Sequence, residues 1–253
     1  MVQRAESRFD KHFISILLKT GNDLKNRSTS GLATPVHEIL QKDYCSDSVI
    51  SLQNYSQQSV VLNSRIWKRL FSESVTVPEM VYLEQEKIVS ALLEFDLLNQ
   101  KSLAWCVMFD PVLRKSVLTE LDGVRGCWKL EKLLQRMNTN ISHWEQMSEG
   151  SGTVFFWGID HSGRRIPLYF ESDNAGHNVL RGTDDSGNLW KFPYTPESIV
   201  LGLKENRLIP SNFTCFLILS FARGFTCVGA YFQAEYLPLI QHGFVNALLK
   251  TSC

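Results

Sequence analysis

From Phe213 to Tyr236 nearly every side chain is apolar; the run is broken at Arg223-Gly224 and ends on Gln233, Glu235 and Tyr236. A stretch of this kind must leave water, either into lipid or into a protein core. Phe213 to Phe232 is about long enough to cross a bilayer. Arg223 would then lie mid-span, at a cost of roughly 2.5–3.5 kcal/mol. Gly224 directly after it has the chemistry of a helix stop in a water-soluble fold. The stretch therefore reads as core, and the chain is expected to engage no membrane.

A core of this size fits the length. The 253 residues are enough for one large domain, and the 44% hydrophobic and 21% charged fractions are ordinary for a globular chain. The 26 basic and 26 acidic residues balance to a formal net charge of zero. Without a basic tract there is no cluster of cations to neutralise phosphates, so no nucleic-acid partner is expected. The N-terminal MVQRAESRFDKHF carries charges throughout and lacks the apolar segment of a secretion signal. The six cysteines are far apart and form no CxxC pair, so they read as reduced thiols and not as a zinc site. The expected compartment is the cytoplasm.

The order of elements points to an α+β fold in a single domain, with a helical N-terminal half packed on a mainly antiparallel mixed sheet. Residues 1–45 read as a peripheral helix followed by a mobile loop over 20–35, rich in Gly, Ser, Thr and Asn. Residues 46–150 read as mostly helical. Their expected elements are a strand near Val49–Leu52, helices over Gln57–Phe71 and Glu79–Leu98, and a buried strand in the apolar run Leu103–Phe109. Asp110-Pro111 supplies the N-cap and first residue of a further helix that stops before Gly123, and another covers Leu130–Met137.

Residues 151–253 read as a β-meander followed by helix, helix, strand, helix. Asp160-His161-Ser162-Gly163 and Asp184-Asp185-Ser186-Gly187 each join two strand-like runs with hairpin-loop chemistry. This assigns the adjacent Asp184 and Asp185 to a turn, since a hard cation needs many more oxygen ligands at fixed intervals. Trp157, Tyr169, Trp190, Phe192 and Tyr194 alternate as the faces of a sheet do. Thr195-Pro196 and Pro210-Ser211 open helices, the second ending at Arg223-Gly224. Phe225–Phe232 reads as a strand, and a last helix runs from about Tyr236 to Lys250, weakened at Gly243.

The polar groups at the edge of the apolar C-terminal third are the candidate site. Arg223 can clamp a carboxylate or phosphate through its planar guanidinium, or serve as the cation favoured at a helix C-terminus. Cys227 is a nucleophile only if folding brings it the field of Arg223 and His242 as a base; its apolar neighbours suit an inert buried thiol as well. Gly229 allows close approach of a ligand or another strand. The GxxxxG spacing it forms with Gly224 lacks the following Lys and hydroxyl of a nucleotide-binding loop. At the strand–helix junction Glu235 would act as acid or base, Tyr236 as proton donor and Gln233 as orienting amide. His242 lies two turns further on.

These residues support two expectations. One is an enzyme acting on a small polar metabolite by group transfer or hydrolysis, a transferase or hydrolase with catalytic Glu235, Tyr236, His242 and Cys227 and substrate-binding Arg223, Gln233 and Gly229. The other is a non-catalytic ligand-binding or accessory protein that engages a protein partner or a second copy of itself. No motif names a cofactor, and no metal site is expected.

Overall fold

The computed structural model describes residues 37–53, 55–71, 75–79, 81–138, 151–172, 177–227 and 231–251. The expected N-terminal helix, the loop over 20–35 and Gly229 lie outside them. The described residues fall into two compact units, one ending at Glu84 and the other beginning at Gln85.

The smaller unit is helical. A wide π-type turn, α1 (Leu40–Tyr44), is followed by α2 (Asp47–Ile50) and α3 (Tyr55–Arg69). The strand expected near Val49 is thus a helical turn. Ser46 and Asp47 begin it, and Val49 fills the interior alone, without the alternation a strand needs. Asp43 is buried, and Arg69 neutralises it through two contacts of 2.6 and 2.8 Å. Buried Gln58 donates to the Val49 carbonyl at 3.1 Å, so α3 is held to α2 by polar as well as apolar contact.

The larger unit is α+β, with helices packed on antiparallel strands. Its helices α4 (Gln85–Asp96), α5 (Leu103–Phe109), α6 (Pro111–Glu120) and α7 (Leu130–Asn138) precede the strands. The run Leu103–Phe109 is helix and not the expected strand. Its Ser102 hydroxyl accepts from the Trp105 amide at 3.0 Å, and Ala104, Val107 and Met108 turn inward at helical spacing. A continuous apolar run carries no period, so its cap decides its state. Asp110 caps α6 as expected, accepting from the Val112 and Leu113 amides at 3.0 and 2.8 Å.

Among the described residues the strands that follow are β1 (Phe156–Ile159), β2 (Arg165–Pro167), β3 (Tyr169–Ser172), β4 (Asn178–Thr183), β5 (Leu189–Pro193) and β6 (Leu208–Pro210). Every pairing between these strands is antiparallel, but they divide into two sheets, β2-β1-β6 and β3-β4-β5. The division falls at Leu168, between β2 and β3. There the Leu168 amide donates to the Thr153 hydroxyl at 2.8 Å, and its carbonyl accepts from Val154 at 2.7 Å. Gly182 in β4 permits the fold-over, since a Cβ there would lie 2.4 Å from the Pro167 carbonyl oxygen. Trp190 of β5 covers Gly158 of β1, which joins the two sheets face to face.

Both hairpin loops form as their residues dictate. Asp160 accepts from the Ser162 and Arg164 amides, and Asp184 from those of Ser186 and Asn188, all at 2.8–2.9 Å. Partial burial pushes the pKa of each carboxyl up. The hydrogen bonds outweigh that, so both titrate below the ordinary aspartate range.

Thr195 and Ser211 cap α8 (Pro196–Lys204) and α9 (Asn212–Phe216). From α9 the chain continues through a π turn, Leu217–Phe221, to Gly224, whose φ of 71° closes the helix where expected. The expected strand Phe225–Phe232 does not form: 225–227 are irregular, and α10 (Tyr231–Thr251) has already begun at Tyr231. Pro238 therefore lies inside α10, on an exposed side where water can serve the carbonyl left without an amide donor. Gly243 does not weaken α10 but seats it. A Cβ there would meet Leu121 at 2.7 Å and the Glu120 carbonyl oxygen at 3.0 Å, so the glycine lets α10 close on α6.

An aromatic cluster sits within a largely aliphatic core. Trp128 meets Phe155 and Phe213 edge-on with centroids 5.8 and 5.6 Å apart, and Phe213 and Phe221 pack on Phe244 of α10. Phe155 holds a left-handed φ of 56°. Its carbonyl accepts from the Ser211 amide at 2.8 Å and the Thr214 hydroxyl at 2.6 Å, which pins the strained residue in the interior.

Candidate functional site

The polar groups at the end of the apolar run lie in the first turns of α10 and in the segment before it, not at a strand–helix junction. Arg223 grips Asp96 of α4 through both guanidinium nitrogens, at 2.9 and 2.8 Å, and also donates to the Ile218 carbonyl at 3.1 Å. It is a bidentate clamp, as its chemistry suggests, and the carboxylate it holds belongs to this chain. Glu235 is exposed and contacts Arg125 at 2.5 Å. The Cys227 sulfur lies 3.0 Å from the Ser220 hydroxyl, and the exposed His242 ring lies 3.2 Å from the Asn246 amide. Tyr236 is half-buried against Gly126 and Phe216. Gln233 is half-buried two residues before Glu235. Cys227 and His242 thus have separate partners, whereas a thiol nucleophile requires a base within hydrogen-bond reach.

Burial decides the character of the other thiols. It pushes Cys127 up to about 12 and raises Cys215 as well, so both stay protonated and unreactive at neutral pH. In the native protein a thiol reagent such as dithionitrobenzoate is expected to spare Cys127 and Cys215 while reaching the part-exposed Cys45, Cys106 and Cys227. Peptide mapping after labelling checks this, and rapid modification of Cys127 without denaturant would contradict it.

A second arrangement of polar groups lies on α6. Pro111, Arg114, Lys115, Leu118, Thr119 and Asp122 line one side of an open cleft of about 420 Å³ that Leu130 of α7 and Phe170 of β3 complete. At its base Arg114 is only 8% exposed. Its Nη1 donates to the Met108 and Phe109 carbonyls at 3.1 and 3.4 Å, the last turn of α5. The guanidinium carbon stands 4.3 Å from the centre of the Phe170 ring. Among the described residues no acceptor meets its Nε or Nη2. Desolvation lowers the Arg114 pKa, with Tyr194 and Asp110 opposing, which marks a cation held largely away from water.

Two positions explain how the cleft is built. Asp122, just past the end of α6, accepts from the Leu130 amide at 2.8 Å, fixing the start of α7 beside the end of α6. The Tyr194 hydroxyl donates to the Met108 carbonyl at 3.0 Å, sharing that acceptor with Arg114 and holding the end of α5 beside Phe170. Arg114 escaped the reading of the sequence. The available signal was a cation in the buried register of Leu113, Val117 and Leu121, where a solvated arginine does not belong.

Among the described residues no helix is long and apolar enough to cross a membrane, and no group of His, Cys, Asp and Glu is arranged to hold a metal ion. No family model, curated protein or solved structure matches the chain.

Proposed function

We propose that the chain is a non-catalytic ligand-binding protein, and that its ligand is a small molecule with a carboxylate or phosphate head on an apolar body. The observation that carries this reading is Arg114: the residue is only 8% exposed, its guanidinium stands over the Phe170 ring in the lining of the cleft, and among the described residues its Nε and Nη2 meet no acceptor. A buried cation stacked on a ring and anchored at one nitrogen is already oriented. Little entropy is then lost when an anion arrives. Lys115 adds a second positive charge at the rim, while Leu118, Leu130 and Phe170 give an apolar body a place to leave water. The volume lies in the range of small-molecule sites. The catalytic alternative, transferase or hydrolase chemistry at Cys227, Glu235, Tyr236 and His242, has less support, because each charged or nucleophilic group there already faces a partner.

The test fills the cleft without touching the base of the site. Thr119 is exposed at the rim, so Thr119→Trp blocks the opening while leaving the core intact. Phenyl phosphate or benzoate at low ionic strength, a hundredfold above its Kd, is expected to raise the melting temperature of the wild-type protein by roughly 5–10 °C. Benzyl alcohol, which lacks the charge, is expected to give no shift, and neither anion should shift the Thr119→Trp variant. Equal shifts in variant and wild type, or no shift with any anionic probe, would overturn the reading.

A further inference from the structure

Granting the anion site proposed above, on which this rests, we infer that its head group is a single carboxylate, held edge-on by Nε and Nη2 of Arg114, and that phosphate monoesters are selected against. The donors around Arg114 decide this, because an anion that leaves water must recover its hydrogen bonds in the protein. Most of those donors are already spent. Nη1 serves the Met108 and Phe109 carbonyls. Pro111 has no amide hydrogen, and the amides of Val112 and Leu113 go to Asp110. The Thr119 hydroxyl donates to the Lys115 carbonyl at 2.9 Å, and the Leu130 amide to Asp122. The side-chain donors that remain in the described lining are the Arg114 edge carrying Nε and Nη2, and the Lys115 ammonium. Neither of those guanidinium nitrogens is among the enclosed side-chain atoms left without a partner, so both keep an opening. Phe170 covers one face of the guanidinium, so the free donors act in its plane.

Two parallel N–H bonds in one plane match the two oxygens of a carboxylate. A phosphate monoester brings three terminal oxygens and about two negative charges at neutral pH. Its third oxygen finds no side-chain donor below the rim, where Leu118, Leu130 and Phe170 are apolar. Charge acts in the same direction. A second negative charge doubles the attraction to one cation, whereas the cost of taking the ion out of water grows as the square of its charge, roughly fourfold. Lys115 offsets this weakly, since it is exposed and its ammonium is screened by solvent. Asp110 caps the start of α6 and Asp122 follows its end, so carboxylates already balance Arg114 and Lys115 along this helix. Glu120, also on α6, is paired with Lys250. A monoanion matches the buried guanidinium, and a second charge meets no surplus cation.

Calorimetric titration of the full chain at low ionic strength and about pH 7.5, where phenyl phosphate is mostly a dianion, reads the preference directly. Benzoate is expected to bind at least about tenfold tighter than phenyl phosphate. Benzenesulfonate, which spreads one charge over three oxygens, is expected to bind more weakly than benzoate and more tightly than phenyl phosphate. In the nitrogen-15-labelled protein the Nε–H resonance of Arg114 is expected to move downfield as benzoate saturates the site. Phenyl phosphate or benzenesulfonate binding as tightly as benzoate would overturn the inference and leave the anion site standing. An Arg114 Nε–H that does not move at saturation would also overturn it. Failure of all three anions to bind would instead remove the site itself, and the carboxylate preference with it.

Discussion

Gly152→Ala lowers the urea midpoint of unfolding by about 1–2 M, a loss of roughly 3–5 kcal/mol. The new methyl would lie 1.8 Å from the Cys127 carbonyl oxygen and 2.8 Å from the Trp128 Cα, and backbone at both points leaves it nowhere to go. The glycine also has a φ of 66°, in the left-handed region, which by itself costs an alanine roughly 1–2 kcal/mol. The clash adds more because relief requires the segment around Gly152 to part from Trp128, its partner in an isolated β-bridge, and to loosen the 2.8 Å hydrogen bond from Lys129 to Ser151. Trp128 is 2% exposed and anchors the aromatic core through Phe155 and Phe213. Gly123→Ala separates the two contributions: its φ is 79° but no atom lies within 4 Å of the added carbon. It is expected to cost only the backbone penalty. Equal midpoints for the two variants would show that the close approach at Gly152 carries no energy.

The contrast between these glycines reflects what a sequence can reveal. Where structure is decided within four residues, the reading succeeds. Asp110, Thr195 and Ser211 cap their helices, Asp160 and Asp184 close their turns, and Gly224 ends the helix after the π turn, because each acts on amides or angles beside it in the chain. Where structure depends on partners far along the chain, the same chemistry is silent. Leu103–Phe109 has no period, so nothing in the run itself separates helix from strand. The sheets part at Leu168 because Thr153, 15 residues earlier, supplies its hydroxyl. Arg223 was recognisable as a clamp, but its carboxylate lies 127 residues earlier in Asp96. Glu235 and His242 stand exposed on a helix that begins at Tyr231, before the expected Tyr236, and no local signal marks that start. Arg114 differs from all of these. Its register was visible, and only the identity of its stacking ring and carbonyl partners had to wait for the fold.

Arg114→Met is expected to lower the melting temperature by roughly 5–10 °C and to abolish the shift produced by phenyl phosphate. Methionine keeps the apolar stem and fills much of the same space, so the loss reports on the guanidinium and not on a cavity. Three effects compete. Removing the hydrogen bonds to the Met108 and Phe109 carbonyls costs about 1.5–3 kcal/mol, the range for bonds to a charged donor. Losing the stack on Phe170 costs about 1–2 kcal/mol more at a site this shielded. Against both, the folded state no longer has to keep a cation away from water, which returns part of the total. The balance is a loss of about 2–3 kcal/mol, because Tyr194 still serves the Met108 carbonyl. Arg114→Lys sharpens the comparison. An ammonium keeps the charge but not the planar stack or the fork, so it should recover some stability and little of the anion-induced shift. If lysine restored the shift in full, a point charge would be enough and the oriented guanidinium would not be the basis of recognition. If methionine kept the shift, the cleft would take its ligand without Arg114.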